Sequence, residues 1–258
     1  MPVSLSSIKP TKHASPPRIL LHGPEKVGKS TFFSQSDNPI FIRTEDGLSG
    51  IDTSAFPVAQ TYEDVISALT VLARQDHDYK NAILDSADWL ERLIHEKVCR
   101  DDNVKTIELA AGGYGKGYGV ALNLWRDILR ALDYLNKTKQ MGVGVICHSI
   151  VIPFNDPEHE PYDRYEMKLH QPKKVTGARD LLMEWADIIG FASSKIYVNK
   201  KKGTDIVRGV ASGETNKLNL VGTPAFVAGN RYSLPAQINL NWKEFYDAMI
   251  ASSRIEAK

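Results

Sequence analysis

The sequence predicts an α/β fold, with a mostly parallel central sheet flanked by helices, and three observations carry that reading. A glycine-bearing loop over residues 23–31 lies between a short apolar run and a segment able to open a helix. From Arg18 onward, short apolar runs alternate with longer amphipathic stretches, the pattern of buried strands covered by helices. After about residue 190 the pattern changes to short alternating segments broken by Gly203, Gly209, Gly213 and Gly222, which read as a β-rich part.

The elements follow in order. Residues 1–17 are rich in Ser, Pro and Lys and read as a flexible lead-in. Strands are expected at residues 19–21, 40–43, 82–85 and 144–147, where apolar residues are continuous. Helices are expected at residues 30–35, 62–75, 87–100 and 120–138. In the second of these, Val65, Ile66, Leu69 and Leu72 fall at helical spacing, and Glu63 and Asp64 occupy the first turn, where the helix dipole favours acids. Residues 112–119 (GGYGKGYG) read as a linker between helices, too glycine-rich to belong to either. Residues 150–175 form a long polar segment with four prolines, expected to lack regular structure and to be either functional or disordered. A helix at 178–187, the β-rich part, and a final amphipathic helix at 242–252 complete the chain. One domain over residues 18–258 accounts for this, its core spanning about 18–190 and the β-rich part with the final helix 190–252.

Composition narrows the function classes. Lys plus Arg number 32 against 31 Asp plus Glu, so net charge gives no sign of a polyanionic partner, and any nucleic-acid face must come from local clustering. Cys99 and Cys147 have no metal or redox spacing, which fits a reducing compartment. No signal-peptide pattern and no run long enough to span a membrane is present, so the expected location is cytoplasmic, without a membrane partner.

The loop carries the chemistry. Gly23, Gly28, Lys29 and Ser30 complete the pattern G-x-x-x-x-G-K-[ST], and strand–loop–helix is the context that aims backbone N–H groups at a phosphate chain. Gly23, Pro24, Glu25, Lys26, Val27, Gly28, Lys29, Ser30 and Thr31 are therefore the expected nucleotide-binding residues. Lys29 reaches the β- and γ-phosphates, and the Ser30 hydroxyl ligates Mg²⁺, so ATP and Mg²⁺ are the expected cofactors. Asp85 ends an apolar strand and fits either a magnesium-holding acid or a helix N-cap; the upstream phosphate loop favours the former. Glu45 ends another strand and fits either a general base for water or an acidic turn. His148 follows a third strand, where it can sense a terminal phosphate or serve structure alone.

Taken as a set, these motifs resemble the core of RecA-like P-loop ATPases, and within them the short phage RecA-like single-strand annealing proteins. The resemblance covers about residues 18–242: the phosphate loop, Phe-Ile-x-x-Glu at residues 41–45, the strand ending Asp85-Ser86, a glycine-bearing loop, and a strand ending in a polar residue. It implies that Glu45 is the general base, Asp85 the Walker B acid and His148 the sensor, where RecA itself has glutamine. It also implies two DNA-contacting loops, one holding Tyr114, Lys116 and Tyr118, the other Arg164, Tyr165, Lys168, Lys173 and Lys174. Aromatic rings stack on any base and lysines follow phosphates, so these residue types suit single-stranded DNA. Arg231 matches one lysine of a segment that in RecA filaments reaches a neighbour's ATP, which makes it a cation supplied in trans; Gly229 replaces the other.

The function implied is an ATP-dependent, single-stranded DNA-binding recombination protein that promotes annealing or strand pairing as a ring or filament. Mg²⁺-dependent ATP hydrolysis would be stimulated by DNA, a single-stranded DNA-binding protein is a further partner to test, and a phage origin would place the chain in host cytoplasm. A nucleotide-dependent binding scaffold with little turnover and a P-loop small-molecule phosphotransferase are the alternatives.

Overall fold

The computed structural model describes residues 16–158, 160–172, 175–194, 196–200, 207–211 and 215–255; residues 1–15 of the expected lead-in lie outside them. Strand β1 (Arg18–Gly23) runs through the middle of the main sheet. It is parallel to β5 (Gly142–Phe154) on one side and to β7 (Ile188–Ser193) on the other. Beyond β5 lie β4 (Asn81–Asp85), β2 (Pro39–Arg43) and the short β3 (Ser54–Ala55), all parallel. The α/β class with a mostly parallel sheet is therefore as expected.

Continuous apolar strands bury both faces, and the alternation of side chains divides them between two layers. Leu20, Ile42, Leu84 and Val145 point to α2 (Tyr62–Arg74), α3 (Ala87–Asp101), α4 (Lys116–Lys137) and α5 (Ala178–Trp185). Leu21, Phe41, Ile83 and Ile146 point instead to α1 (Lys29–Ser34) and α6 (Trp242–Ile255). Phe32 of α1 meets Trp242 and Phe245 of α6 edge-on, with ring centroids 5.3 and 5.7 Å apart. The last helix thus braces the helix that carries Lys29 and Ser30.

The β-rich part is antiparallel. β10 (Lys217–Asn219) and β11 (Gly229–Asn230) pair with β7, and β12 (Gln237–Asn239) pairs with β10, extending one edge of the sheet. β8 (Ile196–Lys200) and β9 (Val207–Ala211) form a separate pair.

Helix α2 starts as its sequence implies. Thr61 accepts from the Asp64 backbone N–H at 3.2 Å, and the Asp64 carboxylate accepts from the Thr61 N–H at 2.9 Å, a reciprocal capping box. Thr61→Ala should lower stability by about 1 kcal/mol. Urea unfolding monitored by circular dichroism measures it, and a midpoint equal to wild type would contradict the cap's contribution.

Two expectations are corrected. Residues 112–119 are not a linker: α4 begins at Lys116, and a 3-10 turn (Ile107–Gly112) precedes it, so only Gly113–Gly115 separate them. Gly117 is inside the helix because a Cβ there would meet the Ile107 carbonyl and the Ala110 side chain. Close packing, rather than backbone freedom, explains that glycine. The second correction concerns residues 150–175. β5 continues to Phe154 and pairs antiparallel with β6 (Tyr162–Met167), so much of that segment is a hairpin. Ile150, Ile152 and Phe154 alternate with Val151 and Pro153, a strand pattern that the prolines obscure in the sequence.

Candidate functional site

The register of the parallel strands brings the chemistry to one edge. Leu21 of β1 pairs with Ile146 of β5, Ile146 with Asp85 of β4, and Asp85 with Arg43 of β2. The phosphate loop, Glu45 and Asp85 therefore leave the sheet at the C-terminal ends of β1, β2 and β4, where ligands bind in open α/β sheets. His148 does not follow a strand as expected but lies within β5, opposite Gly23, because β5 continues to Phe154.

Within the loop, Gly28 has φ 101°, a left-handed value that favours glycine, and it caps α1. Val27 is buried and its carbonyl accepts from the Asn216 side chain at 2.7 Å, which ties the loop to the β-rich part. Glu25, Lys26 and Thr31 are exposed. Lys29 is 5% exposed, and its ammonium donates to the carbonyls of Gly23 at 2.9 Å and Pro24 at 2.7 Å. Burial pulls its pKa down. An ammonium whose hydrogen bonds among the described residues go to two neutral carbonyls can exchange them for phosphate oxygens.

The Ser30 hydroxyl donates to Asp85 Oδ2 at 2.7 Å. Asp85 is 3% exposed, and burial pushes its pKa up to about 6, the Ser30 bond opposing and the nearby Glu45 charge adding. A hydroxyl and a carboxylate side by side are hard oxygen donors of the kind Mg²⁺ takes together with phosphate. The residues present thus fit Mg-ATP: Lys29 and the loop for phosphate, Ser30 and Asp85 for the metal. The Asp85–Ser86 peptide is cis, and Thr44 Oγ1 bonds both the Ser86 N–H (2.8 Å) and the Ser86 carbonyl (2.7 Å). Thr44 therefore joins the ends of β2 and β4 and places Glu45 next to Asp85.

Glu45 Oε1 is 3.8 Å from His148 Nδ1. His148 is held more tightly by Asp88, whose carboxylate accepts from the His148 backbone N–H at 3.0 Å and lies 3.1 Å from Nδ1. The Asp88 hydrogen bond is the main cause that raises the His148 pKa, with burial opposing. Below His148, His22 is fully buried. Its Nε2 donates to the Val227 carbonyl at 2.7 Å, so Nδ1 accepts from the Ser149 hydroxyl at 2.8 Å. Burial lowers the His22 pKa to about 4, so this ring is a neutral strut beneath the loop.

Asp88, His22 and Thr44 adjoin these residues, and the sequence reading does not single them out. Asp88 has a usable signal in the sequence, an acid three residues after Asp85 in the first turn of a helix.

The expected DNA residues divide. Tyr114 is 99% exposed and Lys116 and Lys168 are exposed, none with an ion pair or ring partner among the described residues. Tyr118, by contrast, stacks on His170 at 3.8 Å and 6°, and its hydroxyl donates to Glu108 at 2.7 Å. One face of that ring is covered. Arg164 lies 3.0 Å from the buried Glu166 and over the Phe154 ring at 4.4 Å, and Tyr165 packs on Phe191 at 5.2 Å. Lys173 and Lys174 lie outside the described residues.

Arg231 is at the other end of the sheet. It bonds Asp187 at 3.0 Å, and Asp187 in turn holds Arg18 at the start of β1. The five residues from there to Gly23 span roughly 17 Å of strand, so Arg231 cannot reach the phosphate loop of its own chain.

No helix among the described residues is long and apolar enough to cross a membrane. A comparison with curated proteins gives no match. Among solved structures the chain is similar to one described as the crystal structure of the RadB recombinase, at 12% identity, a TM-score of 0.48 and 86% coverage of each chain. The sequence profile of the family described as AAA domain matches residues 15–232. That stretch holds the phosphate loop, Glu45, Asp85 and His148 and is most of the chain, so the protein belongs to the AAA domain family.

Proposed function

We propose that this chain is a Mg²⁺-dependent ATPase that binds single-stranded DNA and promotes annealing or strand pairing as an oligomer. The observation that carries the ATPase part is the convergence of Lys29, Ser30, Asp85, Glu45 and His148 on one sheet edge. Mg-ATP supplies a phosphoryl group whose charge the metal neutralises. Lys29 moves its ammonium from the Gly23 and Pro24 carbonyls to phosphate oxygens. Ser30 and Asp85 would hold the metal, and the 2.7 Å hydrogen bond between them keeps the hydroxyl and the carboxylate side by side. Glu45 orients and deprotonates the attacking water. His148, at the start of the long β5–β6 hairpin, reports the terminal phosphate to that hairpin. Arg231 is assigned to a neighbouring subunit's phosphates, a role that requires it to leave Asp187.

DNA binding is supported by the exposed Tyr114, Lys116 and Lys168, and the resemblance to phage RecA-like annealing proteins gives the reaction class. Tyr114→Ala should weaken single-stranded DNA binding by about 1–3 kcal/mol with little change in salt dependence. Lys116→Ala should instead flatten the slope of log K against log salt by roughly 0.7. Fluorescence anisotropy with a labelled oligonucleotide across a salt series reads both, and wild-type affinity and slope in the two variants would remove these residues from the DNA face. One observation favours the scaffold reading: Tyr118 and Arg164 are already engaged within the chain. ATPase rates with and without single-stranded DNA decide between them, since a scaffold with little turnover should show no stimulation.

A further inference from the structure

Asp88 is the most confined carboxylate at this edge whose role is unassigned. It is 4% exposed, on the first turn of α3, and His148 brings both its backbone N–H and its ring Nδ1 to the carboxylate. A backbone N–H (3.0 Å) and the ring Nδ1 (3.1 and 3.2 Å to the two oxygens) engage one carboxylate, so the ring can neither flip nor swing without breaking a buried charged bond. The register places His148 opposite Gly23, the first residue of the phosphate loop, and with Nδ1 committed, Nε2 is the ring nitrogen left for it. Glu45 stands 3.8 Å from the same Nδ1, second in line for it.

We propose that Asp88 is a positioning residue for hydrolysis: it occupies Nδ1 of His148, so that Nε2 faces the phosphate loop and Glu45 stays free of the ring. The inference rests on reading Glu45 as the base and His148 as the sensor. Charged groups from several elements act on this histidine: Asp88 of α3, Glu45 just beyond β2, Lys29 of the phosphate loop and Asp85 at the end of β4, while Lys168, just beyond β6, meets its carbonyl through a backbone N–H. Lys29 disfavours the charged ring, while Asp88 and Glu45 favour it. With Asp88 gone, Glu45 is the remaining carboxylate within reach of Nδ1. A carboxylate that accepts a hydrogen bond from the ring Nδ1–H is stabilised in its charged form and accepts a proton from water less readily.

The test is Asp88→Asn, which keeps the shape and removes the charge. We expect kcat for ATP to fall about tenfold, below the usual weight of the base itself, while KM stays within about twofold. The cationic ring exists below its pKa and is lost as pH rises. Asp88 extends that range upward, so in Asp88→Asn the limb of the pH–rate profile that follows His148 should move to lower pH. Asp88→Glu should recover part of the rate. Glu45→Gln is run beside it. If Glu45→Gln is slow while Asp88→Asn has wild-type kcat and an unmoved limb, the proposal is overturned and the base reading stands. If Glu45→Gln runs at the wild-type rate, the base reading fails by itself.

Nitrogen-15 NMR of the histidine rings then decides on Asp88 independently of activity. A protonated Nδ1 on neutral His148 in the wild type supports the proposal, and an unprotonated one overturns it, even if the Asn variant does not fold. An equal loss of rate in Asn and Glu variants with the limb in place would show a purely structural carboxylate.

Discussion

Lys29→Ala is expected to abolish useful Mg-ATP binding while leaving the fold intact. The ammonium is 5% exposed and has two partners, the Gly23 and Pro24 carbonyls, which are parts of the same loop. Its contacts lie in the site rather than among the apolar residues of the two core layers. For the nucleotide the loss is different in kind, because a buried cation facing phosphate disappears. Truncating one partner of such a pair weakens binding by about 2–5 kcal/mol, roughly 30- to 5,000-fold. Titration calorimetry with a non-hydrolysable ATP analogue and Mg²⁺ measures it, and thermal unfolding of the free variant should match wild type. Unchanged affinity would sink the assignment of this loop to phosphate.

The second large effect belongs to Glu45. Glu45→Gln should retain nucleotide and slow hydrolysis by about a hundredfold, the lower end of what one general base contributes. The substitution keeps the side chain's size at a position where the neighbours are Asp85 and His148, so packing should not change. Removing its negative charge should also ease the ionisation of Asp85, since the Glu45 charge is one of the causes that raise the Asp85 pKa. Metal binding should therefore be kept or strengthened while turnover falls, a combination that damage to the whole site would not produce. Single-turnover hydrolysis beside Mg²⁺ titration separates the two. Turnover within about threefold of wild type would transfer the base role elsewhere, with Asp46 next in sequence. Asp46 is exposed and only 3.7 Å from Arg43, which suits an outward-facing ion pair better than proton transfer.

Much of the fold was legible because its signals are local. Apolar runs at β1, β2, β4 and β5 mark buried parallel strands, and the capping box at Thr61 marks the start of α2 within the residues that form it. The two misread segments share a cause. Gly117 looks like a flexible linker residue, yet it is small because α4 passes against the 3-10 turn that ends at Gly112. The run from Ile150 looks like a proline-rich loop, yet it is one arm of a hairpin whose other arm begins at Tyr162. In both, the deciding partner is another segment, and neither periodicity nor composition reports on it.

The sequence by itself determined the α/β class, the phosphate loop and two acids at strand ends, Glu45 and Asp85, whereas His148 lies inside a strand that continues to Phe154. Those residues carry their own context, since a strand that ends in a carboxylate beside a phosphate loop says where that carboxylate must emerge. Tertiary structure alone decided which side chains meet there and which are already taken. It set Asp88 on His148, closed one face of Tyr118 with His170, gave Arg164 to Glu166, and put Arg231 at the far end of the sheet against Asp187. The reason is distance along the chain: each of these pairs, Arg164 and Glu166 excepted, joins elements that only folding brings together. For Arg164 it is the strand geometry of β6, which puts residues two apart on the same face, that turns a basic loop residue into a partner for a buried acid.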